Sequence, residues 1–419
     1  MIYQSKLKSR PESNSTLGIG LLLLVLSIAG CDSTEYVNEI DSVLAPVDQT
    51  NFQNIPFTTV TDSTWSVMPN RGETAQNLVG KFDIFESAML MKFNDVTGFP
   101  DSSTISEIFL EMSVANTIGD SSLNSIDVSM RKNTRVWTEK NISDLNYDDF
   151  FNASEDLNVS ISALWRTDDS TTQILSFKVP NRIYQAWKEG SDTNGVLIFG
   201  DAPGGFIISS HSRTSGRVSS LFPVLRINYT EDGEPITNRF TASADAYTMK
   251  ISEDLTVTDT DRIYVGGAVA HRAFIRFSPD LIDLIPADAF ISKAEFTLSI
   301  DHDKSILPVL DSAVSGILFD LRLGLVDSLS ASGIPVTIDR SDSLIIIVPL
   351  TGNKLTLNLT QVIQQWVAGK FENLGIAIWS SGEHSQIFRI SFVSGDSMDD
   401  DALKPNIDIY YIDPPDFSN

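Results

Sequence analysis

The strongest constraint on how this chain folds is that its body is written twice. ISEIFLEMSV at 105–114 returns as ISKAEFTLSI at 291–300, and YQAWKEG at 184–190 as IQQWVAG at 363–369. NGVLIF (194–199) pairs with NLGIAIW (373–379), FPVLRINYT (222–230) with KPNIDIYYI (404–412), LMKF (90–93) with FIRF (274–277), and FTTVTD (57–62) with FTASAD (240–245). The order is the same in both halves and the spacing is about 180 residues, long enough for each copy to be a domain. Duplication of one module explains this most simply. EDGEP, 231–235, is polar and turn-prone and reads as the linker between copies.

Within each copy the dominant period is two. Ala294, Phe296, Leu298 and Ile300 alternate with Lys293, Glu295, Thr297 and Ser299, and Ile108, Leu110, Met112 and Val114 alternate in the same way in the first copy. One apolar face per segment is the mark of a half-buried strand. Leu225, Ile227 and Tyr229 repeat the pattern near the end of copy one, as do Ile407, Ile409 and Tyr411 in copy two. A single short helix is expected per copy. In copy two Thr360 caps it, Val362, Ile363 and Trp366 face inward, and Gly369 ends it. In copy one Pro180 takes the first helical position, Ile183 and Trp187 form the apolar face, and Gly190 ends it. The fold class expected is all-β: two tandem antiparallel β-sandwich domains, jelly-roll-like, each with one short helix. The boundaries read as module 1 at 56–230, linker at 231–239, module 2 at 240–414 and a tail at 415–419.

The first segment is of another kind. Lys6, Lys8 and Arg10 lead into LGIGLLLLVLSIAG, 17–30, which is too short for a comfortable membrane span and reads as a secretion signal over 1–30. It ends in small residues directly before Cys31, the one cysteine of the chain, so no intrachain disulfide can form. Residues 32–55 follow neither period and read as a flexible tether reaching roughly 80 Å when extended. With a formal net charge of -25, the chain is a poor partner for nucleic acid and for anionic lipid.

Ile28, Ala29, Gly30 and Cys31 resemble the lipobox of bacterial lipoproteins. The resemblance implies that the signal is cut before Cys31, and that its sulfur and new amine are acylated (palmitate-type chains). Two or three such chains hold a protein on a bilayer where one binds only marginally. It places the chain in the bacterial cell envelope, lipid-anchored and outside the cytoplasm. Outer membrane or cell surface is the first reading; Asp32, which resembles an inner-membrane retention signal, keeps the inner membrane as the other. The body also resembles the DNRLRE domain, a β-sandwich of secreted and surface proteins. The resemblance is carried by Arg272, Ala273, Arg276 and Phe277, and by Gln185, Trp187 and Gly190. It continues in Gln364 or Gln365 with Trp366 and Gly369, and in the closing Pro-x-Leu-x-x-x-Tyr strand. Copy one keeps Lys92 and Phe93 without the leading arginine, and Val136 to Glu139 match the family's central Trp-x-Glu stretch, which copy two lacks. Some members bind carbohydrate, and some sit beside polysaccharide-degrading domains.

Motif by motif, catalytic chemistry is not indicated. The four histidines, His211, His271, His302 and His384, sit in no His-Glu-x-x-His, and neither a Gly-x-Ser-x-Gly elbow nor a phosphate-cradling loop occurs. The chain is therefore read as non-catalytic and in need of no cofactor. Asp396, Asp399, Asp400 and Asp401 crowd one loop with the hard oxygen ligands that suit Ca²⁺, without EF-hand spacing, so a solvated acidic loop is the competing reading. Asp301, His302 and Asp303 read as a turn. Sugar faces pack on aromatic rings. Trp187, Trp366, Trp379 and Trp137 read as core, which leaves Trp65, Phe109, Trp165 and Tyr410 as candidate ligand platforms. The expected function is a lipid-anchored surface protein whose modules bind extracellular polysaccharide. The alternative is a structural scaffold or adhesion protein that contacts a surface protein.

Overall fold

The computed structural model describes residues 52–58, 61–67, 71–93, 104–119, 125–142, 147–164, 174–191, 194–201, 205–214, 219–251, 260–267, 269–307, 319–338, 344–348 and 352–413. The chain falls into two units, Met1–Phe52 and Gln53–Asn419; the architecture below is that of the second. Its strands in the first half are β1 (Phe52–Thr58), β2 (Thr61–Val67), β3 (Gln76–Phe82), β4 (Phe85–Lys92), β5 (Thr104–Gly119), β6 (Ser125–Asn133), β7 (Ser154–Leu164), β8 (Ile174–Lys178), β9 (Val196–Asp201), β10 (Phe206–His211) and β11 (Val224–Glu231). The second half continues with β12 (Glu234–Thr241), β13 (Ala244–Ile251), β14 (Arg262–Gly266), β15 (Ala270–Arg276), β16 (Phe290–Ile306), β17 (Phe319–Leu329), β18 (Pro335–Ile338), β19 (Leu344–Val348), β20 (Lys354–Asn358), β21 (Ile376–Ser380), β22 (Arg389–Val393) and β23 (Asn406–Ile412). Four short α-helices are described: α1 (Tyr147–Asn152), α2 (Asn181–Lys188), α3 (Pro279–Asp283) and α4 (Thr360–Val367). The expected all-β, antiparallel, sandwich-like class is what the chain adopts. Each half carries two short helices rather than one.

Strand order makes the duplication visible. In the second half β23, β16, β22 and β14 lie side by side with β20 also on β16, and β15, β21, β17 and β18 form the facing sheet with β19 on β17. In the first half β11, β5, β10 and β3 lie side by side with β8 on β5, and β4, β9, β6 and β7 follow in the same sequence of neighbours. The apolar faces close on two cores. Val79, Met91, Ile108, Leu110, Phe177 and Leu225 belong to the first, and Val265, Ile275, Ala294, Phe296, Leu323 and Ile407 to the second. Each core holds the same ring pair, Phe93 against Trp187 at 5.2 Å and Phe277 against Trp366 at 5.8 Å. These tryptophans lie on α2 and α4, whose apolar sides pack inward as the sequence indicates.

The opening strands of each copy do not stay with it. β12 pairs with β11 and β13 with β4 along its full length, from Ala244↔Lys92 to Ile251↔Phe85, so the first sandwich is completed by strands from the second copy. Conversely, β2 pairs with β15, from Ala270↔Val67 to Arg276↔Thr61, and β1 lies beside β23. The exchange is reciprocal. FTTVTD closes the second sandwich and FTASAD, its repeat, closes the first.

This changes the reading of residues 231–239. They are no linker: β11 and β12 form a tight hairpin over Glu231↔Glu234. Asp232 and Gly233 both have positive φ, 50° and 86°, as a two-residue type I′ turn requires. The tether is shorter than expected too, since residues 52–55 already belong to β1. The sandwiches also pack on each other. Leu78, Phe85 and Ile207 of the first share one cluster with Tyr247 and Met249 of β13 and with Ile306 and Ile387 of the second.

Both tryptophan helices end alike. Gly190 (φ 66°) donates its N–H to the Trp187 carbonyl while Ser191 reaches Ala186; Gly369 (φ 64°) bonds Trp366 while Lys370 reaches Gln365. This double bond around a left-handed residue is the Schellman motif, and glycine enters that conformation without strain. The starts differ from expectation. Thr360 is the first helical residue and not the cap; its hydroxyl accepts the Ala294 N–H of β16 at 2.9 Å, which ties the helix to the sheet. Pro180 sits one position earlier than expected, at the cap.

Candidate functional site

On the outward face of the first sandwich, alternation along β5 turns Glu107, Phe109 and Glu111 away from the core that Ile108 and Leu110 fill. Register then fixes their neighbours. Lys178 on β8, Phe109 on β5, Arg226 on β11 and Arg239 on β12 stand directly opposite one another across four strands. The Arg226 guanidinium carbon lies 4.4 Å from the centroid of the half-buried Phe109 ring, a cation–π contact. Glu111 holds this row in place, accepting from Arg226 Nε at 2.6 Å and lying 2.9 Å from Arg239 Nη2. Lys178 is paired at 3.3 Å with Glu107. Three cations and one aromatic ring thus share a single rung on a chain whose net charge is strongly negative.

The matching face of the second sandwich has diverged. Tyr410 of β23 is half-buried opposite Lys293, whose Nζ lies 6.0 Å from the ring and 3.0 Å from Glu295. Where the first sandwich sets Phe109 against Arg226, the second sets Glu295 against Asp408. Trp65 is held differently. It lies on β2 and packs with Phe274, Val326, Ala377 and Trp379 in a satellite cluster on the outer side of that sheet. This is how a ring on the outward side of a sheet becomes half-buried. Trp165 and Cys31 lie outside the described residues, as do the signal segment and the tether up to residue 51.

The acidic loop finds cations and its own backbone. Asp399 lies 2.8 Å from Arg262 Nη1, Asp400 caps the short 3₁₀ turn at 401–403 by accepting from the Ala402 N–H, and Asp401 pairs with Lys404 at 2.9 Å. Asp396 is exposed, its N–H bonded to Ser394 Oγ. Arg262 also grips Asp301 at 2.6 Å, and Asp301 in turn accepts the N–H groups of Asp303 and Lys304; residues 301–303, read as a turn from the sequence, lie instead within β16, where its pairing with β22 is irregular. Among the described residues no group of three or more His, Cys, Asp or Glu is placed to hold a metal ion. Asp399, Asp400 and Asp401 thus each have a different partner.

A paired feature escaped the sequence reading. Asp62 and Asp245 end the matched FTTVTD and FTASAD segments, and each is carried by a crossing strand into the other copy's sandwich. There the same position of the same loop receives it. The Arg213 N–H donates to Asp245 Oδ2 at 2.7 Å, and the Gly395 N–H donates to Asp62 Oδ2 at 2.6 Å. Ser394 Oγ adds a bond to Asp62 Oδ1 at 2.6 Å. In the first sandwich the Asp245 N–H bonds Glu139, which takes a two-point bond from Arg213 at 2.9 and 2.8 Å. These latches fasten the exchanged strands. The invariant aspartate in the repeat was the signal for them.

Burial gives the latches a pH signature. Desolvation pushes Asp245 up to about 6, and raises Asp62 as well. His271, buried with Ser66 Oγ 2.9 Å from its Nδ1, is pushed down to about 4 by desolvation and by the charge of Arg389. The signs are opposite. A carboxyl raised on folding favours the fold at low pH, and that contribution is lost as pH rises from 3.8 toward about 6. A histidine lowered on folding favours the fold above 6.5, and that contribution is lost as pH falls toward about 4. Each is on the order of 3 kcal/mol. Asp245→Asn is therefore expected to gain stability relative to the parent as pH rises from 4.5 to 7, and His271→Gln to gain it as pH falls over the same range. Urea midpoints at three pH values measure both; differences from the parent that stay flat with pH would contradict the assignment.

Compared with known proteins, the chain matches no family model and no curated sequence.

Proposed function

We propose that this chain is a lipid-anchored, non-catalytic protein of the bacterial cell envelope whose first sandwich binds polysaccharide on its outward face. The observation that carries the binding half is the rung Lys178–Phe109–Arg226–Arg239. Sugar C–H faces pack on an aromatic ring, and the flanking cations answer carboxylates, so sugars bearing uronic acids are the class it fits. The anchoring half rests on Ile28, Ala29, Gly30 and Cys31. Two acyl chains are enough for stable attachment.

Binding to immobilised uronate polymers and to neutral glucans tests the first half. The parent is expected to be retained on the uronates and to be weakened about tenfold by Phe109→Ala, the loss of roughly one aromatic contact. Lys178→Glu, at an exposed position, is expected to weaken retention and its salt dependence together, while Tyr410→Ala leaves it unchanged. No retention on any polymer of the panel would remove the proposal. For the second half, Cys31→Ser is expected to move the chain from the membrane to the soluble fraction.

The scaffold reading is favoured by one observation of its own, the reciprocal strand exchange, which joins the two sandwiches through shared sheets. Recovery of one stoichiometric protein partner without sugar would select it.

A further inference from the structure

Away from the outward face of the first sandwich, one buried cation has no counter-charge among the described residues. Arg389 opens β22 and is 9% exposed. It follows two residues after Ile387, a member of the cluster between the sandwiches, and it stands opposite Ile306 of the same cluster. Arg389 is thus set in the seam. Its contacts there are slight: the guanidinium carbon lies 4.9 Å from the Tyr264 ring centroid, and Nη2 reaches the Lys304 carbonyl at 3.5 Å. Its Nε makes no hydrogen bond. Asp301, opposite Ser391 in register, is committed to Arg262. A desolvated guanidinium left in this way destabilises the fold.

Two more orphaned groups surround the same tyrosine. Ser391, fully buried, faces Tyr264 in register, and its hydroxyl has no partner. His271, 2% exposed, has its ring 6.4 Å from Tyr264, with Ser66 at Nδ1 and nothing at Nε2. When Ser66 donates to Nδ1, the neutral ring carries its proton on Nε2. In that tautomer three buried donors lack acceptors, Arg389 Nε–H, His271 Nε2–H and Ser391 O–H, grouped about one ring and containing one positive charge. Donors in excess, charge unbalanced and water largely excluded are the conditions under which a small anion binds.

We infer that the seam between the sandwiches binds a small inorganic anion at Arg389, Ser391 and His271. The anion neutralises the buried guanidinium and so stabilises the packing of the two halves.

The test is thermal unfolding of the full-length chain in sodium chloride, sodium phosphate and sodium gluconate at equal ionic strength. Gluconate serves as the bulky reference anion. Chloride or phosphate is expected to raise the midpoint by about 2–4 °C over gluconate at saturation. The salt that does so identifies halide or oxyanion as the ligand. Arg389→Met is expected to lose the response and to be no less stable than the parent in gluconate. A crystal soaked in bromide is expected to show anomalous density beside the guanidinium, a readout that needs no variant. Equal midpoints in all three salts, a response retained in Arg389→Met, or, where chloride is the stabilising salt, only water beside Arg389 in the bromide-soaked crystal would each overturn the inference.

Discussion

Residues 56–230 and 240–414, expressed separately, are each expected to fail to fold as a cooperative monomer, although each is one complete copy of the repeat. The first fragment lacks β12 and β13. Without β13, β4 loses its backbone ladder from Phe85 to Lys92, and the shared cluster loses Tyr247 and Met249. The Asp245 latch goes with it, along with the bond from Tyr247 Oη to the His384 carbonyl at 2.6 Å. The fragment also retains β2, whose partner β15 is in the other piece. The second fragment has the mirror defect, with β13 present and β2 missing. An eight-residue ladder together with its buried side chains is worth as much as the net stability of a domain, about 5–15 kcal/mol. Separate fragments should therefore show poor amide dispersion and no sharp melt, and mixing them during refolding should restore both. A single fragment that melts cooperatively as a monomer would show that the exchange is dispensable.

Arg272→Ala is expected to cost about 3–5 kcal/mol, the largest effect of any single substitution considered. Arg272 lies on β15 and bonds both oxygens of Glu383, at 2.6 and 2.8 Å. Both side chains are largely buried. Removing the guanidinium leaves a carboxylate out of water and without a cation, and that uncompensated charge, more than the lost bond, sets the size of the effect. Arg272→Lys should fall between, since an ammonium cannot make the two-point contact. Arg272→Met with Glu383→Leu should recover most of the loss, because it removes both charges together. Urea midpoints measure the series. A double variant no better than Arg272→Ala would mean that packing, not charge, was lost.

The strands were legible because alternation reports local environment. Ala294, Phe296 and Leu298 face a core whichever strand lies beside them. The tryptophan helices were legible for the same reason, down to the glycines that end them. What alternation does not carry is the identity of a strand's neighbour. FTASAD has the same pattern whether it closes its own sandwich or the other, so the exchange was invisible, and EDGEP was read as a linker. Asp232-Gly233 between two alternating runs was in fact a hairpin signal. The candidate platforms show the same limit. Phe109 stands out from the apolar set of β5, but only register puts Lys178, Arg226 and Arg239 beside it, from positions far apart in the sequence. Asp399 looked like a metal ligand because Arg262, distant in sequence, is its partner.

The crossing of β1 and β2 into the second sandwich sets the order of events during biosynthesis. The earliest of the described strands, β1 and β2, belong beside β23 and β15, more than 200 residues later in the chain. Neither sandwich can close on its own copy alone: one waits for residues 234–251, the other needs both the early β1 and β2 and the late β23. Contacts of such long sequence separation form slowly, and unpaired edges stay open in the meantime. A protein threaded in this way spends its early life dependent on whatever shields those edges.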